Sequence, residues 1–144
     1  MLILGIDPGL RTGVAHFEGG QLVHLETVHP ADIPNVLLRH QPARVVFEDS
    51  RLQSHVWKRG TGIAAAAKIA RNVGEVDAWC KLIEHTCSKL GIKAHGVSPQ
   101  GKGRKLDAVQ FERLTGWANR NNQHERDAAC VCWQFRKITF KDEA

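Results

Sequence analysis

Residues 2–28 read LILGIDPGLRTGVAHFEGGQLVHLETV and hold three apolar segments separated by two glycine-containing turns. The first segment, residues 2–7, is an apolar run closed by a Pro-Gly pair, which is typical of a buried central strand. Residues 13–18 and 21–28 alternate apolar and polar side chains on either side of Gly19-Gly20, a strong signal for a two-residue hairpin. The chain is therefore predicted to open with three antiparallel strands.

The rest of the chain alternates between helical and strand patterns. From Gly62 to Leu90 apolar residues recur every three or four positions, which predicts a long amphipathic helix with this stripe as its core face, and Gly91 ends it. We also expect helices at residues 30–40, 106–117 and 124–135, and strands at residues 43–48 and 92–97. Pro34 is expected to interrupt the first of these helices near its start. This order predicts one α/β domain over residues 1–144, with a mixed five-stranded sheet of three antiparallel strands followed by two parallel ones.

The composition is ordinary for a soluble globular protein, with 42% hydrophobic and 24% charged residues among 144. A net charge of +5 and a pI of about 9.3 favour a polyanionic partner. Scattered solubilising charge is the competing explanation. Basic residues in loop-like, glycine-containing stretches are the candidates for phosphate contacts: Lys58, Arg59, Lys102, Arg104 and Lys105.

The apolar run at the start of the chain ends at Asp7, far short of a signal-peptide core or a membrane span. The four cysteines lack a paired C-x-x-C arrangement and lack histidines at zinc-ligand spacing. We therefore expect a cytoplasmic protein with buried, reduced thiols and without a membrane partner.

Two carboxylates end buried strands: Asp7 closes the first strand, and Glu48 follows Val45-Val46-Phe47. If these strands are neighbours, two like charges stand side by side, which implies a bound cation or a raised pKa. The glycines after Asp7 keep the backbone slim enough for a phosphate to approach. Asp49 also lies here, but the alternation of a strand turns it away from the face of Glu48. The competing interpretation of Asp7 is a turn residue before a Pro-Gly bend.

His124 and Asp127 are three residues apart in the last predicted helix and so share one of its faces. Both residue types bind divalent metals. Ala128 and Ala129 permit the helix to pack closely against the sheet. The competing interpretation is that both residues simply lie near the positive end of the helix dipole, where they add little to the stability of the helix.

Three segments together resemble the motifs of one nuclease family. Residues 4–15, LGIDPGLRTGVA, resemble the opening motif of RuvC-type Holliday junction resolvases, members of the ribonuclease H-like superfamily. Residues 45–48, VVFE, resemble their second acidic strand, and residues 124–129, HERDAA, are similar to their closing motif. The resemblance extends over nearly the whole chain and implies a ribonuclease H-like fold with helices on both faces of the sheet.

The resemblance implies four catalytic metal ligands: Asp7, Glu48, His124 and Asp127. They would hold two Mg²⁺ ions, for which Mn²⁺ can substitute. Two such ions, roughly 4 Å apart, position and activate a water for attack on phosphorus and stabilise the leaving oxygen. Lys105 resembles the family's basic residue at the start of the following helix, and Lys102 is the other candidate for offsetting charge at the scissile phosphate. Nonspecific phosphate contact explains both lysines equally well.

The resemblance also implies a DNA partner, a four-way junction or another branched DNA, and a role in recombination and repair. Arg51 stands where bacterial relatives often carry an aromatic residue that wedges into the junction, and Trp57 in the same loop can stack on unpaired bases instead. The other residues expected to contact DNA are basic: Arg11, Lys58, Arg59, Lys102, Arg104 and Lys105. The departure at Arg51 and the compact chain favour a phage-type or divergent member that acts in a bacterial cytoplasm.

A homodimer is expected, because a four-way junction presents two symmetric strands for cleavage. The resemblance suggests contacts near the long helix, whose second stripe comprises Lys68, Arg71, Glu75 and Trp79. An ordinary solvated face explains that stripe as well.

Other functions stay open on the residues alone. A ribonuclease H-like or ribosomal-RNA-processing nuclease shares the D-x-G opening and acts on RNA. A branched-nucleic-acid-binding protein without catalysis shares the fold, although decay of its site should remove at least one of the four ligands. A sugar-kinase or actin-like fold uses a similar phosphate-gripping hairpin but needs two such domains, and this chain holds one.

Overall fold

The computed structural model describes residues 1–53, 62–101 and 103–137. The strands are β1 (Leu2–Asp7), β2 (Thr12–Glu18), β3 (Gln21–Val28), β4 (Arg44–Glu48) and β5 (Lys93–Val97). The helices are α1 (Ile33–His40), α2 (Ile63–Leu90), α3 (Ala108–Thr115) and α4 (Gln123–Cys132). Short 3-10 turns lie at Pro30–Asp32, Ser50–Leu52, Pro99–Gly101 and Trp133–Phe135.

The five strands form one sheet in the order β3-β2-β1-β4-β5. β1 pairs with β2 antiparallel and with β4 parallel, and β4 pairs with β5 parallel. β1 takes the central position because it is apolar on both faces, and such a strand must be covered from above and below. The predicted mixed sheet of three antiparallel and two parallel strands is confirmed.

Helices cover both faces of the sheet, as predicted. On one face, Leu4, Ile6 and Phe47 pack with residues of α1 and α2. On the other face, Ile3 and Val46 pack with residues of α3 and α4. Successive side chains of a strand point to opposite faces, so this alternation assigns each strand residue to one layer.

The ends of the helices differ from the predicted ends by a few residues. The predicted helix 30–40 is a 3-10 turn followed by α1, and Pro34 lies in the first turn of α1 instead of interrupting it. Proline is tolerated there because the first N–H groups of a helix have no partner within the helix. α3 is shorter than residues 106–117, since Asp107 caps its start and Gly116, at φ 77°, ends it.

The apolar face of α2 is buried only in the second half of the helix. Cys80, Ile83 and Cys87 are buried, whereas Ile63 is 91% exposed and Ile69 is 44% exposed. With 28 residues, α2 is about 42 Å long, more than twice the length of the five-residue strands beneath it. The prediction of one continuous core face is therefore wrong for the first half, which extends beyond the sheet.

None of the four cysteines forms a disulfide, and three of them are buried. Burial raises the pKa of Cys87 to about 11 and that of Cys132 to about 12, so both thiols stay protonated and act as small apolar groups. Among the residues that the structure describes, no helix has the length and apolar character needed to cross a membrane.

The helix α4 lies directly on the backbone of the two central strands. A Cβ atom on Gly5 would lie 2.3 Å from the carbonyl oxygen of Ala128, and one on Gly13 would lie 2.0 Å from that of His124. Only glycine fits at both positions. Ala128 is fully buried in this contact, as expected for the small residues after Asp127. The space beside Gly13 is therefore filled by the helix, and not left open for a phosphate as the sequence suggested.

We expect Gly5→Ala to lower the free energy of unfolding by about 1–3 kcal/mol, because the added methyl group meets backbone that cannot move independently. Gly74→Ala is the matched control, since Gly74 lies in the exposed part of α2 with no atom within 4 Å of its Cβ position. Gly74→Ala should raise the free energy of unfolding by about 0.5–1 kcal/mol. Urea denaturation measures both changes, and a Gly5→Ala protein as stable as the wild type would contradict the packing described.

Candidate active site

A cleft of about 470 Å³ opens where β1 and β4 end and α4 begins. All the residues predicted as metal ligands line it: Asp7, Glu48, His124 and Asp127. Arg11, Lys105 and Gln123 line it too. Side chains more than a hundred positions apart in the sequence therefore meet in one cleft.

Asp7 and Glu48 come from neighbouring parallel strands. Ile6 pairs with Phe47 in the register of β1 and β4, so the next residue of each strand lies beside the other. Val46, two residues before Glu48, packs in the layer of α4, so Glu48 points to the same side. Both carboxylates are half-buried. They are fixed by the hydrogen bonds of the sheet, which holds them more precisely than a loop would.

A capping box holds the first turn of α4, which carries His124 and Asp127. The Asn122 side chain accepts from the Glu125 N–H at 2.9 Å, and Glu125 Oε1 accepts from the Asn122 N–H at 3.1 Å. Thr27 on β3 donates to Glu125 Oε2 at 2.9 Å and accepts from the Asn122 amide at 2.8 Å. The start of α4 is therefore held by hydrogen bonds within its own capping box and by hydrogen bonds to the edge strand β3.

Asp127 is the most buried carboxylate of the cleft, with 6% of its surface exposed. Its Oδ1 accepts a hydrogen bond from the Gln123 amide at 2.8 Å. Its Oδ2 lies 3.8 Å from Nζ of Lys105, whose side chain is 65% exposed. The carboxylate is thus oriented by a neutral donor, with one oxygen facing a cation on the rim of the cleft.

Arg126 connects α4 to the segment that precedes α3. Its guanidinium donates to the Leu106 carbonyl at 3.0 Å, to Asn121 Oδ1 at 2.7 Å and to Gln123 Oε1 at 3.1 Å. These contacts hold Lys105, next to Leu106 in the chain, near Asp127. The sequence did not predict this role, because Arg126 points away from the cleft. The capping box could have been predicted, because the Asn-x-x-Glu spacing of Asn122 and Glu125 is its sequence signal.

The donor set of the cleft suits Mg²⁺ or Mn²⁺, since three carboxylates supply hard oxygen ligands and His124 adds one nitrogen. No three of the four candidate ligands bring their donor atoms within 4.8 Å of one another. Like charges repel when no cation lies between them, so carboxylates that share a metal stand apart without it. The chemistry of the donors therefore fits a divalent metal site.

Asp49 lies on the other face and has a different role. Both of its oxygens accept from the Arg51 guanidinium at 2.8 Å, and Oδ1 also accepts from the Arg51 N–H at 3.1 Å. This pairing holds the pKa of Asp49 below its usual range. Arg51 also contacts Glu84 on α2, and both acids raise its pKa. The preference for Glu48 over Asp49 as a metal ligand agrees with this geometry. DNA binding by Arg51 stays a prediction, and its guanidinium already contacts two acids in the folded chain.

The remaining predicted DNA contacts fall in two groups. Arg11 is exposed at the cleft, and Arg104 is exposed outside its lining. The others lie outside the described residues: Trp57, Lys58, Arg59 and Lys102.

Comparison with known proteins finds similarity in structure. No family model matches the chain, and no curated protein sequence matches it significantly. The structure of T. thermophilus RuvC in complex with Holliday junction substrate superposes on this chain with a TM-score of 0.64 and 17% identity, covering 100% of this chain and 96% of that one. A second Thermus thermophilus RuvC structure gives a TM-score of 0.61 and 18% identity, covering 99% and 96%. The predicted ribonuclease H-like fold of RuvC type is confirmed, and at these identities the likeness concerns the fold.

The Asp49–Arg51 pair should make stability depend on pH. The pKa of Asp49 is lowered in the folded chain, so its contribution is full above the unfolded pKa and is lost as pH falls through the folded value. We expect Asp49→Asn to lower the free energy of unfolding by about 1.5–3 kcal/mol at neutral pH. Below about pH 4 the free energies of unfolding of the variant and the wild type should approach each other.

The matched control for this measurement is Asp32→Asn, because the exposed Asp32 side chain makes no capping hydrogen bond. It should stay within about 0.5 kcal/mol of the wild type. Urea denaturation from pH 7 to pH 3 compares the three proteins. A loss in Asp49→Asn that is the same at every pH would contradict the role of the charge.

Proposed function

We propose that the chain is a structure-selective endodeoxyribonuclease that resolves Holliday junctions or cleaves other branched DNA with two divalent metal ions. The observation that carries the proposal is the cleft, which combines Asp7, Glu48, His124 and Asp127 with the cation of Lys105. Such a site suits a nuclease, because phosphodiester hydrolysis is accelerated by an activated water and by positive charge near the phosphate oxygens.

Each residue of the cleft has a defined task in this proposal. Asp7 and Glu48 offer rigid oxygen ligands from the sheet, and Asp127 offers a third one, oriented by Gln123. His124 is the softer ligand and favours Mn²⁺ as a substitute for Mg²⁺. When bound, the two ions activate water and stabilise charge at the scissile phosphate. Lys105 reaches the same region from the rim, where its charge offsets the charge that develops on the phosphate.

DNA is supported as the substrate by charge and by fold. The chain carries a net charge of +5, and Arg11 stands exposed at the mouth of the cleft. The T. thermophilus RuvC that shares this fold is described with a Holliday junction substrate, and we extend that substrate class to this chain. We place the activity in a bacterial cytoplasm, as a bacterial or a phage protein.

We include a homodimer in the proposal, since two symmetric strands of a junction need two sites. The first half of α2 continues the core stripe beyond the sheet, with Ile63 and Ile69 exposed, and a second copy of the chain is the occupant that this symmetry favours. A monomeric mass in sedimentation equilibrium, at concentrations that support cleavage, would remove the dimer from the proposal.

We expect the protein to cleave a four-way DNA junction in Mg²⁺ and to leave linear duplex of the same sequence largely intact. Asp7→Asn should reduce the cleavage rate roughly a thousandfold or more, because a metal ligand contributes several kcal/mol to the transition state. Junction binding in EDTA should change little, since the shape of the side chain is kept. Single-turnover cleavage and gel shift measure the two quantities.

The control variant Asp32→Asn removes the same charge outside the lining of the cleft and should cleave at the wild-type rate. Equal cutting of linear duplex would contradict junction selectivity. Preference for an RNA–DNA hybrid would favour the ribonuclease alternative. Junction binding without cleavage in either Mg²⁺ or Mn²⁺ would favour the non-catalytic alternative.

A further inference from the structure

A second cluster of metal-binding side chains lies on the far side of the sheet from the cleft. It comprises His16 on β2 with His24 and Glu26 on β3, and their ligand atoms all lie within 4.8 Å of one another. Glu26 Oε2 is 3.1 Å from Nε2 of His24 and 3.5 Å from Nε2 of His16. The ring of His40, at the end of α1, stands 4.8 Å from that of His16, centroid to centroid.

The register of the hairpin brings these residues together. His16 is directly opposite His24, and Glu26 is opposite Val14, one diagonal step away. Ala15 and Phe17 pack in the layer of α4, so His16 points to the opposite layer, toward α1. The cluster is therefore separated from the cleft by the thickness of the sheet.

One atom of the cluster lacks the partner that its burial requires. His16 is 4% exposed, and its Nε2 makes no hydrogen bond within the described residues. Glu26 Oε2 lies 3.5 Å away, beyond the usual N–H···O range of about 2.7–3.2 Å. Buried polar atoms are nearly always satisfied, by protein, by water or by an ion. The unsatisfied nitrogen points at the carboxylate and at a second imidazole, which is the arrangement a metal ion would complete.

We propose that His16, His24 and Glu26 bind one divalent transition-metal ion of the Zn²⁺ class, with His40 in reach as a further ligand. This site is distinct from the cleft and does not depend on the nuclease function. Two imidazoles and one carboxylate form a softer donor set than three carboxylates, so it selects Zn²⁺ or Co²⁺ over Mg²⁺.

The geometry of the cluster fits such an ion. Ligand atoms around a tetrahedral zinc ion lie roughly 3.4 Å apart, for bonds of about 2.0–2.1 Å. The contacts of Glu26 with His24 and His16, at 3.1 and 3.5 Å, are already close to that spacing.

A bound ion would clamp the two strands of the hairpin. Thr27, the residue after Glu26, points to the other face and holds the start of α4 through Glu125. Binding at Glu26 therefore stabilises the strand on which α4 is anchored. The ion would stabilise the folded chain, because a ligand that binds only the folded state raises the stability of that state by mass action.

The test is Zn²⁺ binding by the EDTA-stripped full chain, in an Asp7→Asn, Asp127→Asn background that weakens the cleft as a metal site. We expect one zinc ion per chain by dialysis and metal analysis. His24→Gln should lower the affinity more than roughly tenfold, since even the loss of an outer partner of a metal ligand costs that much. The His24 side chain is 56% exposed, so its replacement disturbs little packing. His85→Gln, an exposed histidine on α2, is the matched control and should bind as before.

A second measurement separates a metal site from a merely structural cluster. In the same background, Zn²⁺ should raise the Tm of the parent protein and of its His85→Gln variant and leave that of its His24→Gln variant unchanged. Co²⁺ should give an absorption spectrum that disappears in the His24→Gln variant. No zinc binding in the background protein, or equal binding by His24→Gln, would overturn the proposal and leave an ion-pair cluster. The nuclease proposal is tested separately, by Asp7→Asn alone.

Discussion

The candidate site depends on the close approach of α4 to the central strands, which is possible because Gly5 and Gly13 have no side chains. Side chains there would push the helix outward and carry its first turn away from the sheet. With the helix seated, Asp127 faces the same cleft as Asp7 and Glu48. The packing of a helix on bare backbone thus sets the spacing of three carboxylates, and the capping box and Thr27 keep the helix in place.

Much of the fold follows from local patterns in the sequence. The apolar run of β1 identifies a strand buried on both faces, and the Gly19-Gly20 pair between alternating segments identifies the hairpin. Two-residue periodicity also assigns Glu48 to the face of the cleft and Asp49 to the opposite one, where Arg51 binds it. These inferences succeed because each depends on a few adjacent residues, and the geometry of a strand fixes the rest.

Features that depend on distant contacts could not be predicted in this way. The periodicity of α2 marks its apolar stripe correctly, but only the length of the sheet determines how much of the stripe is covered, which leaves Ile63 exposed. Arg126 joins two segments whose proximity exists only in the folded chain. The His16, His24 and Glu26 cluster likewise requires the register of the hairpin, which the spacing of the histidines does not reveal.

The two proposed metal sites lie on opposite faces of one sheet, one with a donor set rich in oxygen and one with a donor set rich in nitrogen. The most direct test of the oxygen-rich site is anomalous scattering from a crystal of the wild-type chain grown with Mn²⁺. Two manganese peaks in the cleft, within bonding distance of Asp7, Glu48, His124 and Asp127, are the predicted result. A map at saturating Mn²⁺ with no peak in that cleft would contradict the metal-dependent nuclease.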